Sequence, residues 1–168
     1  GVPLDFLPKS GWVLAVVAFD GAFERQWSAE RTRSMNPAER SRLRQRHWRE
    51  ELGRTIDYLA TREDIDARKL GWFGISMGAD TMLPLLAIEK RIGAAVLYSG
   101  GSGIRSGLGR LPDSELPYNY LPRVTQPVLM LNGRWDIDAT LESQQRLFEL
   151  LGSPADAKKH VVYEAGHG

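Results

Sequence analysis

Residues 69–80 read KLGWFGISMGAD. An apolar run reaches Gly74, Ser76 sits between Gly74 and Gly78, and a helix-forming sequence follows. This pattern predicts a strand over 69–76, a tight turn at the serine and a helix over 77–90. Glycines two before and two after the serine give the helix room to start close to the strand. Pro84 removes one helix hydrogen bond, so a kink or early break is expected there. Composition alone yields about 0.1 such G-x-S-x-G motifs in a chain with 17 glycines. The strand before and the helix after, rather than the motif, single out this serine.

The same rhythm continues on both sides. GWVLAVVAFD (11–20) is a continuous apolar run, expected as a strand buried on both faces. A polar loop should follow it. Asn36-Pro37 then opens a helix that reaches about Ala60, with Asn36 as N-cap and Leu43, Trp48, Leu52, Ile56 and Leu59 at helical spacing. IGAAVLYSGG (92–101), PVLMLNG (127–133) and KKHVVYEAGHG (158–168) read as further strands. DATLESQQRLFELLG (138–152) reads as a helix stopped by Gly152, with Asp138 suited to its cap. The Gly- and Pro-rich stretch 101–126 is expected as a long loop or small insertion. Alternating strands and helices predict an α/β fold: a parallel sheet with helices on both faces.

Composition narrows the class of protein. The 168 residues amount to about one domain, long enough for a real core. No apolar run approaches the roughly 20 residues of a membrane span. The opening GVPLDFLPKSG has none of the marks of a signal peptide. There is no cysteine, so disulfides and thiolate metal sites are excluded, and a cytoplasmic location is expected. Three scattered histidines suggest no metal site, and no cofactor is expected. The formal charge of +1 gives no global field toward nucleic acid or membrane. The arginine-rich run from Arg31 to Arg54 has interleaved glutamates and few aromatics. It reads as a solvated helix face rather than a nucleic-acid patch.

Three residues fall at the carboxyl ends of predicted strands, where open parallel sheets bind ligands. Ser76 ends the second strand, Asp136 follows the fourth and His167 follows the last. A serine hydroxyl is a poor nucleophile without an adjacent base. His167 would take its proton and pass it to a leaving group, while Asp136 would hold the imidazole tautomer. The N–H of Met77, at the helix start, would donate to a developing oxyanion. Asp136 could instead be a turn residue, but Asp138 suits the helix cap better. His47 lies in the arginine-rich helix and His160 at the amino end of a strand, so only His167 is at the correct edge. Trp135, Tyr118 and Tyr120 sit where the wall of a substrate pocket is expected; Trp72 fits the core. GGSGIRSGLG matches no phosphate-loop pattern and reads as loop.

On these residues the chain resembles the α/β-hydrolase superfamily. The order Ser76, Asp136, His167 matches that of its triad. The segments DIDARKLGWFGISMGA (64–79), PVLMLNGRWD (127–136) and VVYEAGHG (161–168) are most similar to the dienelactone hydrolase, acetyl xylan esterase and prolyl oligopeptidase group. DGAFERQ (20–26) and residues 123–168 are similar to esterase-like domains fused to bacterial serine/threonine kinases. The resemblance implies a serine hydrolase acting on small-molecule carboxylic esters through an acyl-enzyme. Dienelactone hydrolases proper use cysteine, which this chain lacks. Prolyl oligopeptidase-type peptidase activity and a non-catalytic sensing or interaction domain are the alternatives. The resemblance further implies a single domain, 1–168, truncated of its amino-terminal strands, its last helix and the loop holding a second oxyanion donor. Association with other domains, or with a second copy through an uncovered sheet edge, is a further expectation.

Overall fold

The computed structural model describes residues 4–101 and 116–168. GGSGIRSGLG, apart from its first two residues, and most of the 101–126 loop expectation lie outside the described residues. The chain forms two compact units, residues 1–67 and 68–168.

The first unit is helical. It contains α1 (Phe6–Lys9), a 3₁₀ turn (Phe23–Arg25), α2 (Ala29–Ser34) and α3 (Pro37–Ala60). The start of α3 is as expected: the Asn36 side chain accepts the Glu39 N–H at 2.9 Å, and Pro37 occupies the first turn. Such a cap contributes about 1 kcal/mol. Trp48, Leu52 and Ile56, one turn apart, are its buried stripe. The strand expected over 11–20 is not formed. Trp12, Val13 and Val16 are 55%, 60% and 76% exposed, and the run pairs with no strand among the described residues. An apolar, β-prone run becomes a strand only when a neighbour takes up its backbone groups. The polar segment after it, expected as loop, carries the 3₁₀ turn and α2.

Asp20 organises this unit. Its carboxylate accepts from Trp27 Nε1 at 2.9 Å and faces His47 Nδ1 at 2.7 Å, and its carbonyl accepts from Trp48 Nε1 at 2.8 Å. Burial pushes the Asp20 carboxyl up, but the His47 and Trp27 hydrogen bonds outweigh it and hold it below the usual carboxylate range. Several arginines are engaged inside the unit. Arg25 pairs with Glu51, while Arg31 and Arg44 lie over the Trp27 ring at 4.3 and 5.2 Å.

The second unit is an α/β layer. Four strands, β1 (Leu70–Ile75), β2 (Ile92–Tyr98), β3 (Val128–Gly133) and β4 (Lys158–Tyr163), form one sheet in the order β1-β2-β3-β4, all parallel. Ala95 pairs with Val128 and Leu97 with Met130, and all four are buried. Their neighbours Val96, Leu129 and Leu131 point to the other face and are half-buried. The expected helix after Ser76 breaks into α4 (Met77–Asp80) and α5 (Leu83–Ile88). Pro84 therefore stands in the first turn of a new helix, where its missing N–H costs nothing. Leu83, Leu85 and Leu86 of α5 and Leu97 of β2 are at most 2% exposed. Each such side chain contributes about 1.5–3 kcal/mol by leaving water.

A 3₁₀ run (Pro117–Arg123) packs on α5, and α6 (Leu141–Leu150) links β3 to β4. The cap of α6 is Thr140, whose hydroxyl accepts the Ser143 N–H, and not Asp138 as expected from the sequence. The turn ahead of the helix is three residues longer than the periodic pattern shows, and Asp136 itself closes it. All four strands run the same way, so their carboxyl ends share one edge.

Candidate active site

The Ser76 backbone sits at φ 51° and ψ −115°, a conformation that disfavours any side chain. Strain of this kind costs about 1–3 kcal/mol and persists only when surroundings fix it. Here they do. The Ser76 N–H donates to Tyr98 O at 2.8 Å, extending the β1–β2 ladder by one residue. The Ser76 carbonyl accepts from Ala79 and Asp80 at 2.9 and 3.2 Å, opening α4. The two flanking glycines are not equivalent. A Cβ on Gly74 would lie 2.5 Å from Gly78 O and 2.6 Å from Trp72 Nε1, whereas one on Gly78 would meet nothing within 4 Å among the described residues. The close approach needs glycine at 74.

Three side chains converge at this edge. His167 Nε2 lies 2.8 Å from Ser76 Oγ, and His167 Nδ1 lies 2.7 Å from Asp136 Oδ2. The Asp136 side chain is fully buried, and its other oxygen accepts the N–H groups of Asp138 and Ala139 at 2.9 and 2.8 Å. Asp136 is thus an acceptor at both oxygens, which assigns the Nδ1 proton to His167 and leaves Nε2 to accept from the serine hydroxyl. The sequence placed these three residues on one edge; the structure brings them into one hydrogen-bonded chain. The N–H of Met77 has no acceptor among the described residues, as befits the first residue of a helix. Because α4 is only four residues long, any help from Met77 comes from its own N–H more than from a helix dipole.

Asp136, Asp138 and His167 each offer a ligand atom within 4.8 Å of one another. The Asp136 oxygens and both His167 nitrogens are already committed to the bonds above, so a cation there would have to displace them.

Next to Ser76 and Asp136 in the chain, Met77, Trp135 and Ile137 are exposed apolar side chains, at 66%, 66% and 79%. A cavity of about 260 Å³ lies at the same edge, lined by Tyr98, Ser99, Asn132, Tyr163 and Gly168 among others. None of Trp135, Tyr118 and Tyr120, the expected wall residues, lines it. Sequence reasoning missed Ser99. It is buried, has a positive φ of 52°, and accepts the Gly168 N–H at 3.2 Å, beside the histidine. Its only signal is its place at the end of β2.

No functionally curated protein matches the chain. Among solved structures, an esterase from an Arctic intertidal metagenomic library aligns with a TM-score of 0.56 and 31% identity. That alignment covers 70% of this chain and 48% of the esterase. An esterase from Pyrococcus furiosus aligns at 0.55 and 22% identity, covering 70% of this chain and 52% of that one. A 2,6-dihydroxy-pseudo-oxynicotine hydrolase aligns at 0.59 and 20% identity, covering 71% and 40%. The latter two likenesses carry the fold alone. The chain spans about half the length of these structures. The sequence model of the dienelactone hydrolase family matches residues 9–168. With that match over nearly the whole chain, and with the parallel sheet and strained serine turn described above, the chain belongs to the dienelactone hydrolase family.

Proposed function

We propose that this chain carries the catalytic triad of a serine hydrolase that cleaves small-molecule carboxylic esters through an acyl-enzyme. The observation that carries the reading is the unbroken hydrogen-bond chain Ser76–His167–Asp136 at the carboxyl edge of the sheet. Ser76 Oγ attacks the ester carbonyl while His167 Nε2 takes its proton. The imidazolium is stabilised by Asp136, and it then protonates the departing alcohol. Water, deprotonated by the same nitrogen, releases the acid from Ser76. The Met77 N–H, which has no acceptor among the described residues, would donate to the oxyanion. The exposed Met77, Trp135 and Ile137 side chains offer an apolar rim for the substrate. The aligned esterase from the Arctic intertidal metagenomic library, 31% identical, supports the same class of substrate.

The test compares kcat/KM of the chain on an aryl ester and on an aminoacyl arylamide. Ester turnover with a burst of alcohol, well above amide turnover, is expected. Comparable amide turnover moves the assignment to a prolyl oligopeptidase-type peptidase. Binding of ester without turnover moves it to a non-catalytic domain.

A further inference from the structure

We propose that Gly133 and Gln144 are positioning residues that set the Asp136–His167 hydrogen bond. The inference rests on the triad reading for its catalytic consequence but on geometry alone for its structural content. Asp136 and His167 lie on different loops, after β3 and after β4, and must meet to within a hydrogen bond. The loops are joined at their roots: the Arg134 N–H donates to Tyr163 O at 2.8 Å, and the Trp135 N–H donates to Ala165 O at 2.9 Å. Arg134 Nε also pairs with Glu164 Oε1 at 2.5 Å.

Gly133 is what lets the two loops come this close. A Cβ there would lie 2.1 Å from Gly166 O and 2.4 Å from Ala165 O. Both are backbone atoms of the segment leading directly into His167, so no flexible side chain can give way. The residue's φ is not positive, so glycine is needed here for space rather than for conformation. Restoring ordinary contact would displace the histidine loop by roughly 1 Å, a misplacement that can cost about 10²-fold in rate.

Gln144 holds the other side. It is fully buried on α6, and its Nε2 donates to Gly133 O at 2.9 Å and to Ala139 O at 2.6 Å. These two carbonyls are the ends of the loop that carries Asp136. One amide therefore fixes the span of that loop, while Asp136 Oδ1 ties its middle to Asp138 and Ala139. No other side chain among the described residues is given both tasks.

The experiment uses proton NMR of the 168-residue chain together with fluorophosphonate labelling. A proton shared between an imidazole and a carboxylate at 2.7 Å is strongly deshielded. Two such signals are expected, from His167–Asp136 and from His47–Asp20, which serves as the internal reference. Gly152→Ala is the matched control, since a Cβ there would meet Pro122 O at 2.1 Å, away from the triad.

Gly133→Ala should lose the His167 signal, keep the His47 signal and label at Ser76 about 10²-fold more slowly. Gly152→Ala should keep both signals. Should Gly133→Ala fail to fold, Gln144→Met carries the test with the same expectation. Retention of the His167 signal and a labelling rate within threefold of wild type in the folded variant would overturn the proposal. So would equal loss of the signal in Gly152→Ala. If wild type shows the signal but is never labelled, and Gly133→Ala still loses it, the positioning role stands and the esterase reading falls.

Discussion

Replacing Asp136 by asparagine separates the chemistry of the proposed triad from its shape. The two side chains are isosteric, so packing around the fully buried position is kept. What changes is which atoms can donate. In the wild type, Oδ1 accepts two backbone N–H groups, from Asp138 and Ala139, and Oδ2 faces His167 Nδ1. The asparagine amide has one oxygen. Placing its NH₂ toward two N–H donors would leave three donors unpaired, each costing about 1–3 kcal/mol. The oxygen therefore stays on the Oδ1 side, and the NH₂ turns to His167. Nδ1 must then accept, the ring proton moves to Nε2, and Nε2 donates to Ser76 Oγ instead of accepting from it. The base is present, correctly placed and in the wrong tautomer. A loss of about 10⁴ in kcat is expected, or about 5.4 kcal/mol of transition-state stabilisation at 1.36 kcal/mol per tenfold. Steady-state ester hydrolysis gives kcat, and the urea midpoint should move little. A folded Asp136→Asn variant with kcat within tenfold of wild type would refute this role for Asp136.

Further outcomes follow from the serine turn and the core. Gly74→Ala should destabilise the chain by about 1–3 kcal/mol through overpacking, because Gly78 O lies 2.5 Å from the new Cβ, whereas Gly78→Ala should be nearly silent. Paired urea melts check this, and equal effects of the two substitutions would contradict the geometry. His160, half-buried beside Phe148 at 5.6 Å, is pushed below its usual value of 6.5 by burial. The unfolded chain therefore binds a proton first as pH falls. Stability from this group is full above about pH 6.5 and is lost as pH falls toward the folded value. Urea midpoints at pH 7.5 and 5.5 should diverge less in His160→Leu than in wild type; an unchanged difference would remove His160 as the cause.

The strong local signals in the sequence match the structure. β1 and the serine turn follow from apolar residues ending in spaced glycines, and α3 from an Asn-Pro start with buried residues one turn apart. Ser76, Asp136 and His167 were legible because strand ends in a parallel sheet share an edge. What sequence could not give is tertiary. Residues 12–18 have the composition of a buried strand, yet pairing partners decide whether such a run is one. The cap of α6 lies at Thr140 because Asp136 spends one oxygen closing the turn before it, a choice visible only once His167 takes the other. Gln144 looks like an ordinary surface glutamine, and nothing in its neighbours tells that it faces inward. Gly133 reads as a strand end, and its closeness to Ala165 and Gly166 depends on a loop more than thirty residues away.

On the proposed reading, Ser76 is a nucleophile activated by His167. Intact-mass spectrometry of the chain after treatment with a fluorophosphonate tests it most directly, with peptide mapping of the adduct. One adduct per chain is expected, on Ser76, absent from Ser76→Ala and strongly slowed in His167→Ala. A folded chain that forms no adduct, or an adduct that persists in Ser76→Ala, would contradict it.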